Sequence, residues 1–245
     1  MSRKRFLLLM GALLLAVCLK WGYARWSGVI WRPALSSREI ATRRLAAELA
    51  RRYPGAKALV MGNPFTQRGG QPAEIYSFEK ASVRGLERGF GSPQAIKVAY
   101  PALRPEFLRA PEKVYIDPKT TTPLSFLVAE NAFDELVAAN PGFDLVVSLI
   151  GLPVNLPQTQ VWRDRVKPRF GLVLPDWRMV GSTQAIREAV KSDKIVAAVI
   201  DRPGVRSEAN NAPSGDEQAQ FNRRFLLVTK ENVDELLVVY PNLFW

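Results

Sequence analysis

The sequence predicts an α/β protein: a single, doubly wound, mainly parallel sheet with helices on both faces, preceded by an N-terminal hydrophobic targeting or anchor helix. Three observations carry this expectation. Six short, nearly continuous apolar runs recur after residue 56, stretches with helix start and stop signals separate them, and the excess positive charge sits almost wholly before residue 53. Near-continuous apolar strands alternating with helices mark a parallel sheet buried on both faces, with all strands running the same way.

The first element is the leader. Arg3-Lys4-Arg5 precedes an uncharged run from Phe6 to Leu19. A basic start followed by such a run is the pattern of an export signal. The run is shorter than the roughly 20 residues of a spanning helix, but Lys20 can snorkel and Trp21, Tyr23, Trp26 and Trp31 are suited to an interface. Two outcomes stay open: cleavage after Ala24, or retention as an anchor that engages the membrane through residues 6–31. Residues 1–24 are thus signal or anchor, 25–53 an aromatic and basic segment with a first helix, and 54–245 the α/β domain, placed in the cell envelope outside the cytoplasmic membrane. Cys18 reads as a small apolar residue of the targeting helix, since branched Val17 disfavours a lipoprotein site.

The next helix has Ser36 and Glu39 at capping-box spacing and Tyr53-Pro54-Gly55 as its stop. Ile40, Leu45, Leu49 and Tyr53 fall near one face, with Arg43, Arg44, Arg51 and Arg52 elsewhere. Such a helix either lies on anionic lipid or packs its apolar stripe on the domain; the second is the expectation. Strands are then predicted at 57–62, 94–100, 144–150, 169–174, 194–200 and 224–228. Helices are predicted from Ser77 to Arg88 with Gly89 as stop, from Thr122-Pro123 to Ala139, from Ser182 to Lys191, and from Thr229 to Val239. Gly85, Gly89 and Gly91 read as helix termination. The polar stretch Arg202 to Asn222 reads as a mobile solvated loop, and Tyr240 to Trp245 as aromatics that dock on the domain or mark a partner contact.

Composition removes several chemistries. The 245 residues include 34 Lys and Arg, 23 Asp and Glu, one Cys and no His. Catalytic triads, Cys-His pairs and HExxH metal sites need histidine. Residues 1–52 carry eleven basic and two acidic side chains, which leaves the remainder at a net charge of only +2. A nucleic-acid partner is therefore not expected, because its basic footprint would lie on the folded unit. No glycine-rich nucleotide loop and no G-x-S-x-G elbow occurs, and no cofactor is implied.

What remains is position. Ligands of open α/β sheets bind outside the carboxyl ends of the strands. There the sequence places candidate ligand-binding residues Asn63, Thr66, Tyr100, Asn155, Asp176, Trp177, Asp201 and Arg202. Asp176 and Asp201 follow neighbouring predicted strands, which allows an alternative: an exported carboxylate-dependent enzyme, its catalytic pair holding a divalent metal. Against this, Asp after a strand is a common turn former, and Asp201 is adjacent to Arg202. Asp117-Pro118-Lys119-Thr120 reads as a turn.

The runs Ala58-Leu59-Val60-Met61-Gly62, Phe78 with Gly85-Leu86 and Arg88-Gly89, and Asp144 through Pro153 resemble one lobe of the type I periplasmic binding-protein superfamily. The resemblance implies an exported domain that binds a small ligand, without assigning the role of any one residue. The function expected is a non-catalytic envelope domain that binds a partner protein or small ligand at the carboxyl edge of the sheet.

Overall fold

The computed structural model describes residues 34–205 and 216–244. The expected leader, Cys18, the aromatics up to Trp31, the middle of the 202–222 stretch and Trp245 lie outside the described residues. Among the described residues no helix is long and apolar enough to cross a membrane.

All six predicted strands form, and they form one sheet. In chain order they are β1 (Ala58–Met61), β2 (Ile96–Ala99), β3 (Leu145–Ser148), β4 (Arg169–Val173), β5 (Ile195–Asp201) and β6 (Phe225–Thr229). Their spatial order is β2-β1-β3-β4-β5-β6. The first five are parallel, with Val60 opposite Val98 on one side and Val147 on the other. β6 instead runs antiparallel to β5, pairing Phe225 with Asp201, which corrects the expectation of a uniform strand direction. The connection from 202 to 224 leaves and returns at the same end of β5. Arg202 ties that excursion shut, its backbone N–H donating to Arg224 O and its Nε to Asn222 O.

Helices cover both faces. The described part of α1 spans 34–52 and lies on one face, with α2 (Ala73–Phe90) and α7 (Glu217–Arg224). Ala41, Leu45, Leu49, Leu86 and Phe221 there pack on Val60, Val147 and Val199. The other face holds α4 (Ala132–Ala138), α5 (Gln160–Arg163), α6 (Thr183–Lys191) and α8 (Val233–Val239). Phe133, Val161, Ile186 and Val233 pack there on Leu59, Val146, Phe170 and Ala198. A short α3 (Pro105–Arg109) belongs to the excursion between β2 and α4. Helix on sheet on helix is the predicted doubly wound architecture.

α1 takes the place expected of a first domain helix, and its arginines meet acids of the domain. The Arg52 guanidinium, nearly buried, engages Glu48, Asp193 and Glu231, and Arg43 reaches Glu217 on α7.

Several boundaries differ from expectation. Ser36 lies within α1 and Ser77 within α2, so neither is a cap. α2 runs on to Phe90, so Gly85 and Gly89 are interior; only Gly91, at φ +74°, ends the helix. The two interior glycines form a groove for α1: a Cβ on Gly85 would lie 2.0 Å from Thr42 Oγ1, and one on Gly89 2.4 Å from Arg43 O. The helix expected over 122–139 is broken into a 3-10 turn at Pro123–Phe126 and α4. The stretch read as a loop from 202 to 222 carries most of α7, capped by Asp216 and anchored by buried Phe221. Ser182 caps α6 as expected, whereas the N-cap position of α8 is Asn232 rather than Thr229, with Asn232 Oδ1 accepting from Thr229 N. The C-terminal aromatics dock as expected where described: Phe244 is buried against Trp177, ring centroids 5.3 Å apart.

Candidate functional site

The strand order reverses once, between β1 and β3. The chain passes outward from β1 to β2 and then returns to the opposite side, so the connections diverge there and leave a crevice. At that point the structure holds a cavity of about 570 Å³. Its wall combines the carboxyl ends of β1, β3 and β4 (Asn63, Leu149, Leu174), the start of β6 (Phe225), and residues of α1 and α2. The lining is mostly apolar with a few polar groups, the usual constitution of a small-molecule site.

The β1 corner is built locally. Gly62 lets the Tyr100 ring lie against the strand end, where a Cβ would come within 2.8 Å of Tyr100 Cε1. Asn63 caps the turn Pro64–Gln67, its Oδ1 accepting from Phe65 N at 3.0 Å. Its backbone N–H donates to Glu79 Oε2 at 2.6 Å. Thr66 Oγ1 donates to Asn63 O at 2.8 Å and to Glu79 Oε1 at 3.2 Å. The Tyr100 phenol is pushed up, first by burial and then by the neighbouring Glu79 carboxylate and a hydrogen bond to it. Asn63, Thr66 and Tyr100 therefore gather around Glu79 of α2, a buried carboxylate that the sequence reading missed.

Arg38 of α1 is the second missed residue. Its Nε donates to Ser82 Oγ at 2.8 Å and an Nη2 N–H to Leu149 O at 3.1 Å. Ser82 is itself buried and donates to Phe78 O. Among the described residues no carboxylate lies within ion-pair distance of Arg38, whose partly buried side chain lines the crevice. Burial pushes it down to about 10, so it is charged at neutral pH. The available signal was periodicity: positions 38, 41, 45 and 49 share one helix face, and a lone arginine heads a stripe whose other members are fully buried.

The β4 wall carries a strained residue. Leu174 has φ +50°, a left-handed conformation that a branched, bulky side chain rarely adopts and that costs about 1–2 kcal/mol. Such strain persists where surrounding structure enforces it, often at binding sites.

The other expected site residues lie outside this wall. Asn155 donates through Nδ2 to Glu130 O, and among the described residues its buried Oδ1 has no partner. Trp177 is a core residue packed on Phe244, its Nε1 also without a partner among the described residues. Asp176 is buried and both its oxygens are occupied, by Thr120 Oγ1 at 2.8 Å and by Nε and Nη2 of Arg178 at 2.9 and 2.6 Å. Burial raises its carboxyl, and the Arg178 and Thr120 hydrogen bonds override that to hold it below the usual range. The 117–120 turn forms as expected and sends Asp117 to Arg178 as well. Asp201 is exposed and pairs with Arg224 at 3.6 Å, not with Arg202, which serves backbone carbonyls. Asp176 and Asp201 thus bind different partners, and among the described residues no cluster of three acidic or thiol side chains is arranged to hold a metal ion.

No protein-family model matches the chain, and no curated protein matches it. Solved structures do. Solute-binding proteins are among the solved chains it resembles, in line with the class suggested by the sequence pattern. A galactofuranose binding protein is 11% identical, with 85% of this chain and 64% of that chain covered and a TM-score of 0.48. A substrate-binding protein of a sugar ABC transport system from Bordetella parapertussis is 11% identical over 85% of this chain and 62% of its own length, with a TM-score of 0.47. A periplasmic solute binding protein of an ABC transporter from Actinobacillus succinogenes, with bound D-allose, is 13% identical over 81% and 61%, with a TM-score of 0.40. The chain therefore spans less than two thirds of the length of these structures.

Proposed function

We propose that this chain is a non-catalytic, exported or membrane-anchored cell-envelope domain that binds a small ligand in the crevice between β1 and β3. The observation that carries the reading is the cavity of about 570 Å³ at the point where the strand order reverses, walled by the ends of three parallel strands. Its volume falls in the range of small-molecule sites. Asn63 contributes to the wall directly, while Thr66 and Tyr100 act one step back, by orienting Glu79. The envelope location is supported by the basic and apolar leader and by a domain body close to neutral.

The test is a small-molecule screen by thermal shift on the full-length chain. Saturation at a hundred times Kd stabilises by about 2.7 kcal/mol, which for a domain of this size raises Tm by roughly 5–10 °C. Ser37→Trp, which fills the crevice from α1, removes that shift without lowering the unliganded Tm. Shifts that survive Ser37→Trp place the ligand elsewhere and overturn the reading, as does turnover of any substrate by the purified chain.

A further inference from the structure

We propose that the ligand of this crevice carries one carboxylate on an otherwise apolar body, and that Arg38 is the residue that receives it. The inference rests on the function proposed above and specifies its ligand class.

A guanidinium has five N–H donors. Two of those on Arg38 are used, on Ser82 Oγ and Leu149 O, and these two contacts fix the plane of the group. Among the described residues the other three have no protein acceptor, and no carboxylate pairs with the charge. A buried cation is normally paired, because taking it from water without compensation is costly. Here the anchoring is built, no carboxylate among the described residues pairs with it, and the group lines an open cavity. A planar carboxylate fits the remaining N–H pair in the bidentate manner for which arginine is suited.

The rest of the wall decides the remainder of the ligand. Ile75, Phe78, Leu124, Leu149 and Leu174 present hydrocarbon, which favours an aliphatic or aromatic body. Glu74 and Glu79 stand in the same wall. Their carboxylates disfavour a second negative charge and so select a monoanion over a phosphate. The other arginine of the lining, Arg224, is already engaged by Asp201 and by the Phe225 ring.

The experiment titrates the full-length chain with phenylacetate and hexanoate, with phenylacetamide and hexanamide as neutral isosteres, and with inorganic phosphate. Either carboxylate is expected to bind about 10- to 100-fold more tightly than its amide, the margin of a charge-assisted over a neutral hydrogen bond, with phosphate weaker than both. Arg38→Met is expected to erase the margin while leaving amide binding in place. Its unliganded Tm is expected to fall by a few degrees, since Ser82 Oγ and Leu149 O lose their donor. Should that variant fail to fold, Ser82→Ala, which removes the Nε anchor, is expected to narrow the margin. Equal binding of carboxylate and amide, or phosphate as the tightest ligand, overturns the inference while binding blocked by Ser37→Trp leaves the crevice as a ligand site. Absence of crevice binding for every compound tested here and in the wider screen overturns both.

Discussion

Lys194 enters the core at the start of β5 with three backbone carbonyls around its ammonium, those of Val161, Asp164 and Pro168. It closes the 161–168 loop onto the sheet and is pushed down to about 8 by burial. Lys194→Met leaves those carbonyls unpaired and is expected to destabilise by about 2–4 kcal/mol at pH 7. The pH dependence has a definite sign. Between pH 8 and the ordinary lysine value the unfolded chain keeps a proton that the folded chain has released, so native stability rises with pH in that window. Urea unfolding from pH 7.5 to 10.5 should show the native chain gaining on Lys194→Met. Asp176 has a linkage of the same sign in a more acidic window, because its carboxyl too is held below the usual range. Its contribution is complete above the unfolded aspartate value and is lost as pH falls below it. Asp176→Asn is therefore expected to lose about 1–3 kcal/mol at pH 7 and to show a flatter acid limb in the same measurement. At this scale the sequence was partly legible. The positions of Asn63, Thr66 and Tyr100 at the sheet edge were legible because residues that follow a strand are placed by the strand itself. Arg38 and Glu79 were not, because a helix face mixes core, wall and solvent positions, and the cavity that distinguishes them exists only once α1, α2 and three strand ends have met.

At the scale of elements, the glycines of α2 separate two roles that look alike in sequence. Gly85 and Gly89 are four residues apart and lie under α1, where an added Cβ would overlap backbone or a buried hydroxyl; Gly91 needs only its positive φ and has open space around it. Gly85→Ala is expected to push α1 from the sheet and destabilise by about 3 kcal/mol, the upper range of overpacking. Gly91→Ala is expected to lose only about 1–2 kcal/mol from left-handed backbone. Chemical denaturation of the two variants checks the order, and equal losses would mean the helices are not in such close contact. The positions of all six strands were legible because each is an apolar run with turn residues on both sides. The direction of β6 was not. Apolarity specifies burial, while direction depends on whether a connection crosses the sheet or returns to the same end, and the connection into β6 returns. α7 escaped notice for a related reason: a helix that contributes one large buried residue, Phe221, among polar neighbours has hardly any periodic signal.

For the whole molecule, α1 decides where the folding unit starts. Ala41, Leu45, Ala46 and Leu49 are fully buried, and they cover the face of β1 and β3 that borders the crevice. Burial of two leucines and two alanines is worth about 5–6 kcal/mol, which is comparable with the entire net stability of an ordinary domain. Its removal would also unpair Glu217 and Glu231 from Arg43 and Arg52 and take Arg38 from the crevice wall. A chain that begins at residue 54 keeps every strand and yet is expected to be insoluble, or to show an expanded state without a cooperative thermal transition. A chain that begins at residue 34 is expected to melt cooperatively and to retain the carboxylate preference. Thermal circular dichroism and size-exclusion chromatography of the two fragments decide the matter. A cooperative melt of the shorter fragment would show that the sheet is self-sufficient. In that case the ligand site is assembled by docking a separable helix, and ligand binding should then depend on the concentration of an added 25–53 peptide.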